Sequence, residues 1–146
     1  ICLRSLYDNT SMKVFSMHVD WPRERALSWG SERWLQLWDL ETSACTELRG
    51  HADCVRGVQT SWDRGRAVTW GTSDAILWSL DEGTPLYSLR ELWDVCVLSV
   101  DTSWGRAMLG SSGGSLHLWD WELSGALVAV EMPGRIAAVP KALVDW

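Results

Sequence analysis

Arginines that recur beside tryptophans are the residues of this chain whose types and spacing best suit binding chemistry. The pattern occurs three times, as Trp21 with Arg23 and Arg25, Trp62 with Arg64 and Arg66, and Trp104 with Arg106. Indole rings and guanidinium groups set side by side could bind a phosphate, an acidic peptide or an anionic lipid head group. Glu24 and Asp63 lie in the same turns, so each arginine could instead stack on tryptophan while paired to a carboxylate, and we favour this structural interpretation.

Catalytic and metal-binding patterns are missing from the sequence. The three histidines, His18, His51 and His117, have no Cys, Ser or carboxylate at a spacing that indicates a nucleophile and its base. No Cys or His spacing matches a metal site. The glycine-rich segment 110–114 precedes a predicted strand and lacks the lysine of a phosphate-binding loop. We therefore expect a protein that is not an enzyme and holds neither metal nor cofactor.

Composition and charge narrow the partners and the compartment. The net charge of −6 argues against nucleic-acid binding, which needs clustered Lys and Arg without this much acid. No apolar stretch approaches the roughly 20 residues that span a bilayer, so we expect no membrane insertion. The four cysteines lie in strand-like segments and are expected to be reduced thiols, which favours an intracellular, cytoplasmic location; they are Cys2, Cys45, Cys54 and Cys96.

The elements that position these residues are revealed by a repeat. Trp21, Trp62, Trp104 and Trp146 are separated by 41, 42 and 42 residues. A second series, LQLWDL, AILWSL and LHLWDW, keeps step with the first at spacings of 40 and 41. A period of 40 to 45 residues with a Trp-Asp signature is typical of a propeller built from four-stranded blades. Because most tryptophans recur once per period, we expect Trp29 and Trp70 to pack in the core rather than bind sugars.

Each period divides into four short alternating runs, as the strands of a blade should. In the clearest unit the predicted strands are Cys54–Thr60, Arg66–Thr72, Ala75–Leu80 and a run from Leu86 to Leu89. The full blades are predicted at 12–49, 53–90 and 95–131. Residues 1–8 match an outer strand and residues 135–146 an inner strand, so the sequence predicts three full blades flanked by two partial ones.

The motifs in these blades resemble those of the WD40 (WD-repeat) β-propeller family over the whole chain. Gly50-His51 opens a unit, and Trp38-Asp39 and Trp119-Asp120 end third strands. The resemblance implies an all-β propeller segment in which a buried hydrogen-bonded set holds each blade together. Its members by position are His51, Thr69, Asp74 and Trp78, with Ser28, Trp38 and Trp119 as the remnants in the other blades. The first blade has Thr10 and Glu32 at the His and Asp positions, and the third has Trp93 and Gly113.

The resemblance further implies a non-catalytic scaffold that binds other proteins within a larger assembly. The loops before the inner strands share a face with the turns between second and third strands, and this face most often takes partners in the family. We expect Trp34, Trp93 and Arg135 to contact them, although Trp34 and Trp93 could simply pack between blades. Three and a half blades cannot close a ring, which indicates part of a longer protein or a half completed by a second chain. The alternative function is recognition of anionic groups by the Trp and Arg arc.

Overall fold

The computed structural model describes residues 5–7, 12–90, 95–101, 105–112, 115–120 and 128–131. It contains three antiparallel sheets of four strands, each built from strands that follow one another in the chain. The all-β architecture of four-stranded blades predicted from the repeat is confirmed. We call the sheets blade 1, blade 2 and blade 3.

The strands occur in the same order in every blade. Blade 1 comprises β1 (Val14–Asp20), β2 (Arg25–Gly30), β3 (Trp34–Asp39) and β4 (Cys45–Arg49). Blade 2 comprises β5 (Gly57–Ser61), β6 (Arg66–Trp70), β7 (Asp74–Ser79) and β8 (Thr84–Arg90). Blade 3 comprises β9 (Val95–Asp101), β10 (Arg106–Ser111), β11 (Ser115–Asp120) and β12 (Val128–Glu131).

Two predicted ends differ from the structure or lie outside it. Strand β5 begins at Gly57 rather than Cys54, because the preceding residues form the loop that leads into the blade. Residues 5–7, part of the predicted outer strand 1–8, form no strand. The predicted inner strand at 135–146 lies outside the described residues.

Short 3-10 turns join the first two strands of blades 1 and 2. They span Trp21–Arg23 and Trp62–Arg64, and each ends on a residue in the left-handed region. Gly65 reaches a φ of 60° at no steric cost, whereas Glu24 adopts a φ of 50° with a side chain. Trp21 and Trp62 therefore begin a tight turn at the same end of blades 1 and 2.

The residue after the third-strand Trp serves the next turn. In blade 1, Asp39 Oδ1 accepts a hydrogen bond from the Thr42 amide at 2.7 Å, and this bond lowers the pKa of Asp39. In blade 2, Ser79 Oγ accepts from the Glu82 amide at 3.3 Å. A carboxylate and a hydroxyl can both cap a turn in this way, which explains why the Trp-Asp motif tolerates Trp-Ser.

Strand register makes positions in the three blades directly comparable. Ala26 pairs with Trp38, Ala67 with Trp78, and Ala107 with Trp119, each across the second and third strands of its blade. A small side chain thus lies opposite the motif Trp each time. Because side chains alternate along a strand, this register also assigns each residue to one of two faces of its blade.

The core lies between the blades. The far face of blade 1, which carries Leu27, Trp29, Leu35 and Leu48, packs on the near face of blade 2. That near face carries Val55, Val58, Ala67, Ile76, Trp78 and Leu80. Ten side chains from two sheets are buried in this one cluster, so apolar burial holds the blades to each other.

The same contact recurs one blade further along. Val68, Ala75 and Leu77 on the far face of blade 2 cluster with Ala107 and Leu109 on the near face of blade 3. Trp70 and Leu89 pack against this cluster. Trp29 and Trp70 therefore both lie at contacts between blades, the packing role expected for them.

Gly57 leaves room for one of these tryptophans. A Cβ atom at Gly57 would lie 2.1 Å from the Trp70 ring, far inside contact distance. We expect Gly57→Ala to lower the free energy of unfolding by about 1–3 kcal/mol through overpacking. Urea unfolding of the double variant with Trp70→Leu checks the cause, because the smaller side chain should recover most of the loss. An equal loss in both backgrounds would contradict it.

Candidate interaction faces

A buried chain of hydrogen bonds runs through blade 2. Trp78 Nε1 donates to Thr69 Oγ1 at 2.8 Å, and His51 Nε2 lies 2.5 Å from the same hydroxyl. His51 Nδ1 lies 2.6 Å from Asp74 Oδ1. All four side chains are buried, and they are the four residues that the family resemblance implied. The structure thus brings together residues that lie up to 27 positions apart.

The chemistry of the groups fixes the direction of the hydrogen bonds. A carboxylate only accepts, so His51 Nδ1 carries the hydrogen toward Asp74. In the neutral ring Nε2 is then an acceptor, and the Thr69 hydroxyl donates to it while accepting from Trp78. Burial alone would raise the pKa of Asp74, but the hydrogen bonds from His51 and the Ala52 amide outweigh it and lower the pKa below 3.8.

This buried chain anchors two loops at one end of the blade. The Ala52 amide donates to Asp74 Oδ2 at 2.8 Å, and Ser73 Oγ donates to Asp53 Oδ2 at 3.1 Å. Cys54 Sγ lies 3.1 Å from the Ser31 carbonyl oxygen, in the turn between β2 and β3 of blade 1. The loop before β5 is therefore held to turns of both blades. We call this end, formed by 31–34, 50–56 and 71–74, the loop face.

Blade 1 keeps only the inner part of the polar chain. Trp38 Nε1 donates to Ser28 Oγ at 2.9 Å, and Ser28 Oγ donates to Gln36 Oε1 at 3.3 Å. Gln36 is buried and was not identified from the sequence, because one polar residue inside a strand carries no recognisable signal. A neutral amide thus accepts from the serine hydroxyl in blade 1, at the β3 position that corresponds to Ile76 in β7.

Blade 3 has no hydroxyl at the corresponding position. Register places Leu109 where blade 1 has Ser28 and blade 2 has Thr69, and Leu109 is buried. The backbone of Trp119 lies at the motif position opposite Ala107, while its side chain lies outside the described residues. At the position that carries a hydroxyl in blades 1 and 2, blade 3 therefore has an apolar side chain that packs in the cluster between blades 2 and 3.

Of the three contacts expected on the loop face, Trp34 lies within the described residues, whereas Trp93 and Arg135 lie outside them. Trp34 begins β3 at the loop face and is half-buried. The Arg49 guanidinium lies 4.4 Å above its ring and is held by Glu47 at 2.7 Å. The indole Nε1 of Trp34 is buried, and the described part of the chain provides no hydrogen-bond partner for it. This stack is a rigid aromatic and cationic surface beside the loops.

The opposite end carries the turns with the repeated Trp and Arg, and we call it the turn face. Arg23 bonds Asp20 at 3.1 Å and also Asp63 of blade 2 at 3.0 Å. Arg25 bonds Asp81 of blade 2 at 2.7 Å. The hydrogen bonds that Arg23 donates to Asp20 and Asp63 raise its pKa. Two arginines of the expected arc therefore pair with carboxylates, mainly those of the next blade.

The other arginines of the arc also interact with neighbouring groups. Arg66 Nη1 donates to the Gly65 carbonyl oxygen at 3.2 Å and to Ser79 Oγ at 3.5 Å. Arg64 and Arg106 interact with neighbouring groups as well. Trp62 packs against the cluster between blades 1 and 2, whereas Trp21 is 75% exposed. Among the described residues of the arc, Arg23, Arg25 and Trp62 link blades 1 and 2, whereas Trp21 is exposed and Trp104 lies outside the described ranges.

Other reactive groups are dispersed. His18 lies between blades 1 and 2, with Nδ1 3.3 Å from Thr60 Oγ1 and its ring edge-on to Trp29, and burial lowers its pKa. Cys45 and Cys54 are free thiols. Within the described ranges, no three His, Cys, Asp or Glu side chains are grouped as metal ligands would be. Those same ranges contain no helix of the length and apolar character needed to cross a bilayer.

Comparison with known proteins places this geometry in a fold class. No protein-family model matches the chain, and no curated protein matches it by sequence. Solved structures match well, among them a structure of U3-55K and a crystal structure of RRP9 WD40 repeats. Each has a TM-score of 0.70 at 14% sequence identity, over 87% of this chain and 41% of the other.

The chain is thus a segment of a β-propeller. Its blades have the fold of WD40 repeats, as the Trp period and the motif residues predicted. It spans 41% of the length of these two solved structures.

We predict that Thr69→Val lowers the free energy of unfolding by about 1–3 kcal/mol, because it leaves the buried Trp78 indole N–H and His51 Nε2 without a partner. Chemical denaturation measures the change. Thr84→Val, at an exposed hydroxyl in β8, is the matched control and should cost little. Equal effects of the two substitutions would contradict a role for the buried chain.

The lowered pKa of Asp74 predicts that the chain loses part of its folding stability in acid. Its folded-state pKa lies below the ordinary 3.8, so its stabilisation is present above about pH 4 and is lost as the pH falls through the folded-state pKa. The difference in unfolding free energy between the wild-type chain and Asp74→Asn should therefore shrink on acidification. A constant difference for Asp74→Asn would contradict the assignment.

The bridges on the turn face predict unequal effects of two charge removals. Arg23→Gln should destabilise the chain more than Asp63→Asn, because it leaves Asp20, whose side chain is 6% exposed, without its cation. The Asp63 side chain is 93% exposed and remains solvated when its partner changes. Thermal unfolding of both variants at low and high salt tests this order. The reverse order would show that Asp20 does not depend on Arg23.

Proposed function

We propose that this chain is a non-catalytic scaffold that binds other proteins through the loop face. The single observation that carries the proposal is the buried chain of hydrogen bonds from Trp78 to Asp74. These bonds fix the loop before β5 and the turn before β7 from the inside of the blade. Loops held in one conformation lose little entropy when a partner binds. A rigid platform with fixed loops suits recognition by several contacts at once.

The contact residues we propose are Trp34, Trp93 and Arg135. For Trp34 the support is its place on the loop face, its partial exposure and the Arg49 guanidinium stacked on it. Tryptophan and arginine dominate the energetics of protein interfaces. A buried indole N–H that lacks a partner within the described residues adds a donor that a partner could satisfy.

Binding without catalysis is supported by the engagement of the histidines. His51 is enclosed in the polar chain of blade 2, and His18 faces Thr60 and Trp29 between two blades. The Thr69 hydroxyl beside His51 is fully buried and therefore inaccessible to a substrate. We therefore propose no enzymatic activity and no cofactor.

Further parts of the proposal concern the assembly. We propose that the chain works within a larger complex, in which the remaining blades of the ring come either from further sequence of the same protein or from a second chain. The free thiols of Cys45 and Cys54 support an intracellular, reducing setting. The acidic net charge of −6 supports protein partners rather than nucleic acid.

The alternative, recognition of phosphate or acidic groups by the Trp and Arg arc, has weaker support. Arg23 and Arg25 already hold carboxylates of blade 2, and an anionic ligand would have to displace them. Breaking these pairs would also separate the two blades at their turns. The arc is better suited to bracing the blades than to holding a ligand.

Matched charge reversals on the two faces test the proposal. Arg33→Glu lies in the exposed turn beside Trp34, and Arg64→Glu lies on the turn face. The chain is used to capture proteins from its source cells, and cross-linked residues are mapped by mass spectrometry. We expect cross-links at the loop face and loss of the captured proteins with Arg33→Glu alone.

Two results would overturn this assignment. Loss of partners with Arg64→Glu but not Arg33→Glu would favour the arc, as would binding of the wild-type chain to vesicles containing phosphoinositides. Capture that neither substitution alters would show that the loop face is not the binding surface.

A further inference from the structure

His18 lies on the far face of blade 1, at the contact with blade 2. It pairs with Leu27 across β1 and β2, and Leu27 is fully buried in the cluster that joins the two blades. Thr60 lies across the contact on the near face of blade 2, with 3.3 Å between its Oγ1 and His18 Nδ1. Described residues lie on both sides of the ring, and the side chain is half-buried. The contact between the blades therefore sets the surroundings of this histidine.

These surroundings suit a neutral imidazole. The Thr60 hydroxyl can donate to an unprotonated Nδ1 or accept from a protonated one, so it suits either tautomer of the neutral ring. The rings of Trp29 and His18 are perpendicular, with centroids 5.2 Å apart. The side chains that β5 and β6 present to this contact carry no charge; by alternation they are Val58, Thr60, Ala67 and Thr69. A proton on His18 would therefore place a cation between two packed blades, at a cost in lost hydration.

The charged groups around this contact are paired with one another. They are Asp20, Arg23 and Arg25 of blade 1 and Asp63 and Asp81 of blade 2. Arg23 binds Asp20 and Asp63, and Arg25 binds Asp81. Within the described residues, no carboxylate forms an ion pair with His18. A protonated His18 would therefore lack a counter-ion of its own, because each of these carboxylates already binds an arginine.

We propose that His18 makes the contact between blades 1 and 2 sensitive to protons, so that the two blades are held firmly at neutral pH and open more readily in mild acid. Histidine is the side chain whose charge ordinarily changes in this range. Burial lowers the pKa of His18 below 6.5, which agrees with a ring that stays neutral in the folded chain. The inference goes beyond the proposed function and does not depend on it.

The same contact connects His18 with the loops at one end of the blades. Cys54 Sγ, in the loop before β5, lies 3.1 Å from the Ser31 carbonyl oxygen in the turn between β2 and β3. This link joins the two blades that meet at His18. Opening the contact would therefore also change the position of loop 50–56 relative to loop 31–34. Protonation of one side chain inside the contact would in this way act on the loop face.

The direction of the pKa fixes the pH window. His18 has its ordinary pKa of 6.5 when the contact is open and a lower pKa when it is closed. The stabilisation is therefore present above pH 6.5 and is lost as the pH falls toward the folded-state pKa. The equilibrium between closed and open contact should change by at most about tenfold per pH unit. This window lies above the one expected for Asp74, so the two effects are separable.

Hydrogen exchange of the 146-residue chain at about pH 7 and about pH 5.5, corrected for the intrinsic exchange rate, tests the proposal. We expect amides of β2, β5 and β6 to lose protection at the lower pH. His18→Gln removes the titrating group but keeps a neutral polar side chain, so it should abolish this loss. Thr60→Asp places a carboxylate beside Nδ1 and should raise the pKa of His18, so that protection increases in acid instead. Circular dichroism checks that each variant retains its β-sheet content.

A titration of the His18 ring by NMR in the wild-type chain tests the proposal without any substitution, because the His18→Gln spectrum identifies the resonance. We expect a pKa below 6.5. A pKa at or above 6.5 would overturn the proposal, as would a loss of protection in acid that is the same in His18→Gln and the wild-type chain. Neither result affects the proposed function, which Arg33→Glu tests at neutral pH.

Discussion

The contact between the far face of one blade and the near face of the next is the interaction on which this structure depends. A single four-stranded sheet has two faces, and burying either of them requires a second sheet. Leu27, Trp29 and Leu35 of blade 1 provide the apolar surface that Ile76 and Trp78 of blade 2 need. The motif Trp78 lies opposite Ala67 on the paired strand and is covered by the far face of the preceding blade.

The buried polar chain is secondary to that contact but links it to function. Trp78 belongs both to the apolar cluster and to the hydrogen bonds that end at Asp74, so packing between blades and the shape of the loop face are coupled through one side chain. Blade 1 retains only Trp38, Ser28 and Gln36, and blade 3 replaces the hydroxyl by Leu109. The fold tolerates these losses because apolar burial, present at both contacts, supplies most of the stabilisation.

Much of this architecture could be predicted from the sequence, because the Trp period repeats structure as well as residues. The four members of the polar chain were implied by the resemblance to WD40 repeats, and the structure brings them together. The start of β5 was placed three residues early, since the alternating run that begins at Cys54 starts in the loop before the strand. Alternation alone cannot distinguish a strand from an extended loop.

The polar contacts between blades could not be predicted from the sequence. Arg23 and Asp63 lie 40 positions apart, and only the rotation from one blade to the next reveals that they meet. The turn containing Arg23 offers Glu24 as a neighbouring carboxylate, yet Arg23 pairs with Asp20 and Asp63. Gln36 was also missed, because its role as the acceptor for Ser28 becomes visible only when the hydrogen bonds of blade 1 are compared with those of blade 2.

Native-state hydrogen exchange on Leu35→Ala is the most direct test of packing between blades as the basis of the fold. Leu35 is fully buried on the far face of blade 1, and its truncation should cost about 2–5 kcal/mol. If the two sheets are stabilised by their common contact, amides of β6 and β7 in blade 2 should lose protection together with those of β2 and β3. Loss of protection confined to blade 1 would show that the blades are stable independently and contradict the account.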